Sequence, residues 1–332
     1  MVERSVGVVY RPEFPLEGLG DAARRAERAG FDSVWLFEDC FWTGGIATSA
    51  VALAATERIT VGLGIMPAVS RNPAMTAMEF ATLARLFPGR FLPGIGHGVP
   101  DWMRQIGAAP PSALAALEET LTAIRALLAG ETVTAEGRTV RLDGVRLDAP
   151  PARVPPVYAG VQGPKSLELT GRVADGTILS EPLSVDYVRM ARERIAAGRD
   201  RAGRDGHHRV VGYTWFQVDD DGDAARERLR PTVAANFGNP AARTLLEPLG
   251  LLPEADALRV AAMDDADFAR RLPAEWIDQV TVAGTPADCA QAAHRLFDAG
   301  VDHLVLLPGT DYADWDEQVD GAGRDLLPLL RG

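Results

Sequence analysis

Lysine is all but missing from this chain of 332 residues: Lys165 stands alone among 34 basic side chains, and the rest are arginine. An Arg-rich, Lys-poor bias reflects GC-rich coding and says nothing of function, but it draws attention to where the one lysine stands. Cysteine is nearly as scarce. Cys40 and Cys289 lie far apart in sequence, which excludes a disulfide framework and a zinc quartet. No apolar run is long enough to span a bilayer, the longest being cut by Arg, Gly or Pro. The first residues, Met1-Val2-Glu3-Arg4-Ser5-Val6, have neither the basic region nor the apolar core of a secretory signal, so a reducing cytoplasm is the expected location. Positive charge is in deficit as well. With 34 Lys and Arg against 46 Asp and Glu the net charge is −12, which argues against nucleic acid as a bulk partner because phosphate binding needs a basic surface.

What is present is an apolar fraction of 47%, suited to a packed core, and an alternation of strand-like and helix-like segments along nearly the whole chain. Strands are expected at Val6–Tyr10, Ser33–Phe37, Ile59–Met66, Phe91–Gly96, Val157–Gly160, Gly176–Ser180, Val210–Val218 and His303–Leu307. Between them lie amphipathic helices. Leu16, Leu19, Ala22, Ala23, Ala26 and Ala29 line one face of the first, and Gly30 stops it. Leu114, Leu117, Leu121, Ile124 and Leu128 mark another, with Ser112 as its cap. Thr285-Pro286 opens a third. Residues 131–150 break the pattern as a short hairpin, and residues 219–273 as a long helical stretch. Eight strand–helix units with insertions after strands four and seven predict an α/β fold of the (β/α)₈ TIM-barrel type, a single domain over residues 1–332. The rival is a doubly wound dinucleotide-binding sheet. Its glycine fingerprint belongs after strand one, where this chain has Tyr10-Arg11-Pro12-Glu13-Phe14-Pro15 and no glycine.

A barrel carries its chemistry at the carboxyl ends of its strands, which narrows the search. Strand two runs into Glu38-Asp39-Cys40-Phe41-Trp42; Glu38 and Asp39 are candidate polar groups against a planar cofactor, or a solvated turn beside core aromatics. Strand three ends Gly62-Leu63-Gly64-Ile65-Met66, which marks a bulge with close backbone approach, or a barrel corner that needs small residues. Strand four ends Gly94-Ile95-Gly96-His97-Gly98. The glycines leave room for a ligand, and His97 is the one histidine of five at a glycine-flanked strand end. No histidine pairs with carboxylates at metal-ligand spacing, so no metal is expected. After strand five, Gly160-Val161-Gln162-Gly163-Pro164-Lys165 opens a helix, and free amides plus a cation make an anion site. The alternative is an ordinary solvated lysine. Glu181 faces the pocket or merely precedes a helix; Tyr213 and Trp215 are core or pocket wall. The run Asp219-Asp220-Asp221 is a turn before it is a metal site.

In this order and spacing the segments resemble the luciferase-like superfamily, and within it the deazaflavin-dependent branch that includes methylene-tetrahydromethanopterin reductase. The likeness covers nearly the whole chain. It rests on Ala29-Gly30-Phe31-Asp32-Ser33-Val34-Trp35, Arg71-Asn72-Pro73-Ala74, Gly94 to Gly98, Pro156 to Leu167, Ala174-Asp175-Gly176, Val282 to Pro286 and Ala299-Gly300-Val301-Asp302. The resemblance implies a dimeric TIM barrel holding coenzyme F420 or FMN at the strand ends. Gly64, Ile65, Met66, Gly96 and the Gly160–Lys165 loop would form the cofactor site, with a non-proline cis peptide near Gly64–Ile65. The family's usual proton donors are missing, so His97, Asp39 or Glu38 would have to act in their place. Three functions follow as expectations: hydride transfer between F420 and a small organic substrate, an FMN-dependent monooxygenase, and a barrel that binds a cofactor without turnover.

Overall fold

The computed structural model describes residues 4–309 and 311–331. Its strands are β1 (Ser5–Val9), β2 (Ser33–Leu36), β3 (Thr60–Pro67), β4 (Phe91–Gly96), β5 (Val133–Glu136), β6 (Arg141–Val145), β7 (Tyr158–Gly160), β8 (Gly176–Leu179), β9 (Arg209–Val218), β10 (Thr281–Gly284) and β11 (His303–Pro308). Parallel pairing runs β1-β2-β3-β4-β7-β8-β9-β11, and β11 pairs back onto β1, which closes an eight-stranded TIM barrel. Helices such as Leu19–Ala29, Gly45–Ala55, Pro73–Leu86 and Pro164–Val173 follow the strands and form the outer layer. No helix among the described residues is long and apolar enough to cross a membrane.

Three aspartates fix the strand register at the amino-terminal rim. Asp32, Asp175 and Asp302 stand one residue before β2, β8 and β11. Each donates its own amide to the carbonyl of a residue on a neighbouring strand, Val6, Val157 and Val210 respectively, at 2.9 Å. Each carboxylate then accepts the amide of that same residue, at 2.7, 3.0 and 2.7 Å. Arginines complete the clamps: Arg125 and Arg204 on Asp175, Arg192 on Asp302, and Arg331 on Asp32. A carboxylate at a strand start thus replaces the hairpin turn that a parallel sheet lacks.

Few but large side chains fill the barrel interior. Trp35 lies across it, fully buried, with its indole N–H donating to Ser33 Oγ, which is also 2.7 Å from His303 Nε2. A Cβ on Gly62 would collide with the Trp35 ring, so glycine there makes the indole's space. Tyr213 packs edge-on against Trp35 at 5.6 Å and closes the layer above.

Two segments depart from the strand–helix alternation. β5 and β6 form an antiparallel hairpin whose turn amides, Arg138, Thr139 and Val140, all donate to the Glu119 carboxylate. Between β9 and β10 the chain is helical. Asp221 caps helix Gly222–Phe237 through its side chain, so the acidic run serves a turn. These helices extend the barrel's inner core: Phe237 stacks on Trp276, and both join the cluster of Trp215 and Leu307 at the rim. The sequence reading missed β10. It has four residues between helix Ala274–Val280 and the helix opened by Thr285, so no turn residues announce it. It pairs with β9 beyond the end of β8 and raises that side of the mouth.

Replacing Asp302 with alanine should lower unfolding free energy by about 3 kcal/mol, because it leaves the Val210 amide without its side-chain acceptor and Arg192 without its carboxylate, holding only the Gly300 and His208 carbonyls. Asp32→Ala should cost less, since its carboxylate is 41% exposed against 10% for Asp302. Urea unfolding of the two variants side by side tests the order.

Candidate active site

The carboxyl ends of the strands bring together most of the residues picked from the sequence. β3 carries a bulge: Leu63 pairs with Pro93 and Met66 with Ile95, leaving two residues opposite one. The Gly64–Ile65 peptide within it is cis, where the family likeness placed such a bond. Ile65 turns inward, and a Cβ on Gly96 would meet its Cδ1 at 2.9 Å, while one on Gly160 would overlap it. The space beside Gly96 and Gly160 is therefore filled by Ile65, and that beside Gly94 by the Leu63 carbonyl and Ile178, rather than left for a ligand. The result is a smooth apolar wall set into a trough of glycines. Met66 points the other way, buried, with its sulfur 3.0 Å from Arg71 Nη1.

After β2 the side chains alternate. Phe37 packs against Tyr213 at 5.7 Å. Glu38 turns outward. Both its carboxylate oxygens accept from Arg71, and Oε2 also takes the Gly45 amide at 2.8 Å. Asn72 caps the next helix by accepting the Ala74 amide. The Arg71-Asn72-Pro73 segment thus ties the end of β2 to the start of two helices. Glu38 is saturated by these partners and positions the loop.

Asp39 is the carboxylate left at the mouth. Burial raises its pKa above the ordinary range, Glu13 adds to the rise and Arg11 opposes it. Glu181, just past β8, is raised by burial in the same way, with Asp39 adding and Arg11 opposing. Beneath them the Tyr213 phenol is held protonated by burial and by these two carboxylates, and its hydroxyl lies 3.5 Å from the Gly64 carbonyl. Arg11 is the cation shared by both acids. Its buried Nε is 3.5 Å from Glu13 Oε2 and has no hydrogen bond among the described residues. Two carboxyls that resist ionisation, beside an apolar wall, can hold and release a proton at a higher pH than exposed carboxyls do. Sequence reasoning left Glu181 open and missed Arg11, whose only signal was its place just past the first strand.

The loop after β7 is built differently. Val161 is buried and its amide donates to Ile178. Gln162 is held twice, its side-chain amide on Ser180 Oγ at 2.9 Å and its carbonyl by the Tyr187 hydroxyl at 2.8 Å. Gly163 precedes helix Pro164–Val173 with an ordinary φ of −80° and no side-chain cap. A Cβ there would meet nothing within 4 Å. Neither backbone nor neighbours require glycine, so close approach of a ligand is what its bareness permits. Pro164 and Lys165 are exposed in the first turn, where amides lack intrahelical partners. His97 faces this loop: its Nε2 is 2.9 Å from Ser166 Oγ, while Nδ1 is buried without a partner among the described residues. Burial lowers its pKa, so the ring is neutral. It sits beside the helix start, apart from the Asp39–Glu181 pair.

Comparison with known proteins places this geometry. The luciferase-like monooxygenase family matches residues 3–303. The 5,10-methylenetetrahydromethanopterin reductase of Methanolobus tindarius is 32% identical over 305 residues, covering 90% of this chain and 92% of that one. The F420-dependent glucose-6-phosphate dehydrogenase of Intrasporangium calvum is 32% identical, with 96% of each chain covered. Among solved structures, the coenzyme F420-dependent tetrahydromethanopterin reductase of Methanopyrus kandleri superposes with a TM-score of 0.84 at 25% identity, over 98% of this chain and 99% of that one.

The raised pKa values of Asp39 and Glu181 carry a sign for stability. Each carboxyl is protonated more readily folded than unfolded, so its contribution is full below the unfolded pKa and is lost as pH rises through the folded one. Asp39→Asn and Glu181→Gln should therefore unfold at higher urea than the parent at pH 8, with the advantage disappearing toward pH 4. Equal loss of stability at both pH values would refute the buried, charge-averse environment.

Proposed function

The chain belongs to the luciferase-like monooxygenase family, and on that premise we propose that it is an F420-dependent oxidoreductase moving a hydride between the deazaflavin and a small organic substrate. The observation that carries the reading is the Gly160–Lys165 loop: a bare Gly163, an uncapped helix start and the one lysine of the chain stand together at the barrel mouth. Those features suit a phosphate-bearing cofactor. The Ile65 wall over its glycine trough suits a planar ring. When bound, the deazaflavin supplies the hydride donor or acceptor.

The chain's own residues do the rest. Gln162, Gly163, Pro164 and Lys165 hold the phosphate end, with Gln162 braced by Ser180 and Tyr187. His97 braces the same helix start through Ser166. Gly64, Ile65 and Gly96 form the surface behind the ring; Met66 anchors that surface to Arg71. Asp39 holds the proton that accompanies hydride transfer, with burial and Glu13 keeping it protonated and Arg11 limiting the shift. Glu38 positions Asp39 through Arg71 and Gly45. The helical insertion over β9 and β10 narrows the mouth and keeps water from the reacting groups.

The enzyme works as a cytoplasmic homodimer. Val51, Met75 and Met78, each close to half exposed or more on the helices after β2 and β3, supply apolar surface for a second copy.

Titrating F420 and FMN into the protein side by side tests the cofactor: F420 should bind the tighter, and preference for FMN would return the monooxygenase reading. Lys165→Ala should weaken F420 binding by roughly ten- to a hundred-fold, the worth of one charge-assisted contact, and leave folding intact. The kcat/KM profile should fall as pH rises through the elevated pKa of the acid pair, and Asp39→Asn should abolish that limb.

A further inference from the structure

At the opposite end of the barrel from the proposed cofactor site lies a cavity of about 370 Å³, lined among others by Ser5, Thr60, Arg153, Tyr158, Arg209 and His303. Its volume falls within the range of small-molecule sites, roughly 300–1,000 Å³. Its charge is unusual for a chain with a net charge of −12. Two guanidinium groups face it, and neither Arg153 nor Arg209 has an ion-pair partner among the described residues. Arg209 donates to Ser5 Oγ at 2.7 Å, and its Nε is buried with no acceptor among the described residues. Arg153 reaches in from the exposed segment before β7, its guanidinium lying over Gly89, whose φ of +77° and missing side chain leave that path open.

Asp32, the one carboxylate of the lining, and the carboxylates nearby are already committed. Asp32 holds Arg331 and the Val6 amide; Asp175 holds Arg125 and Arg204; Asp302 holds Arg192 and the Val210 amide. The one other arginine of the lining, Arg4, is paired with Asp298. His303 adds no charge, since burial and the neighbouring Arg209 push its pKa down to about 3. Its Nε2 is spent on Ser33.

A buried guanidinium N–H without an acceptor is costly, and an oxyanion is the group that relieves it. We propose that this amino-terminal cavity binds a small phosphate-type oxyanion, gripped between Arg153 and Arg209 with the Ser5 hydroxyl beside it. The site is separate from the phosphate loop at the mouth.

Isothermal titration of the full chain with inorganic phosphate, against sodium chloride of equal ionic strength, tests this. Phosphate should bind at a site that Lys165→Ala leaves intact and raise the melting temperature where chloride does not. Arg153 is exposed, so Arg153→Ala should fold as the parent does and bind phosphate about tenfold more weakly or worse, the loss of one charge-assisted contact, with F420 affinity unchanged. Arg209→Lys keeps the charge but loses the fork, and should weaken phosphate as well. Glycerol phosphate binding as tightly as phosphate would assign the cavity to a phosphate ester, and its exclusion would assign it to the free ion. Phosphate indistinguishable from chloride overturns the proposal. So does phosphate binding that survives Arg153→Ala but is lost in Lys165→Ala, which would put the anion at the mouth.

Discussion

Everything at the barrel mouth depends on strand register, and register here hangs on three carboxylates at the far end. A parallel sheet has no hairpins to align its strands, and a slip of one residue would turn every inward side chain outward. Asp32, Asp175 and Asp302 prevent this by holding both the amide and the carbonyl of one partner residue each. Since a strand rises about 3.3 Å per residue, an error at that rim would displace Asp39, Glu181 or Gly163 by a whole side-chain position. The geometry of the acid pair is thus set some strand-length away, by residues that never touch it.

The interior shows a second division of labour. Glycines clear space for a few large groups: Gly62 for Trp35, Gly64 for Tyr213, Gly96 and Gly160 for Ile65. Each large group then serves the layer above. Ser33, His303 and Trp35 form a hydrogen-bonded floor; Tyr213 rests on Trp35; the Gly64–Ile65 bulge rests by Tyr213. The stack runs from the arginine-lined cavity, where the Arg209 Nε is buried without a partner among the described residues, to the mouth, where the Arg11 Nε and the His97 Nδ1 are left in the same way.

Much of this was legible beforehand. Strand periodicity and punctuation located all eight barrel strands to within a residue or two, because buried parallel strands are continuous apolar runs ended by Gly or Asp. The signposts Phe31-Asp32-Ser33, Ala174-Asp175-Gly176 and Val301-Asp302-His303 could be seen as a recurring pattern, but their purpose appears only when the strand neighbours are known. From sequence alone the glycines after strand four read as ligand space, and the structure fills the space beside Gly96 with Ile65 from another strand. No spacing rule could supply this, since the contact crosses the sheet. Likewise Glu38 and Asp39 are adjacent in sequence with equal claims, and only the outward turn toward Arg71 separates the saturated carboxylate from the available one. Short β10 escaped because it has no room for turn residues on either side.

The solitary lysine has a practical consequence. Side-chain amines are what succinimidyl reagents attack, and along this chain only Lys165 offers one. It stands exposed on the first turn of the helix at the barrel mouth, next to Gly163. Once the α-amino group is blocked, a fluorophore coupled there would be a single-position reporter on the cofactor loop, with no engineered handle. By the same token, attachment to an amine-reactive support through Lys165 would orient the molecule mouth-down and obstruct its own entrance.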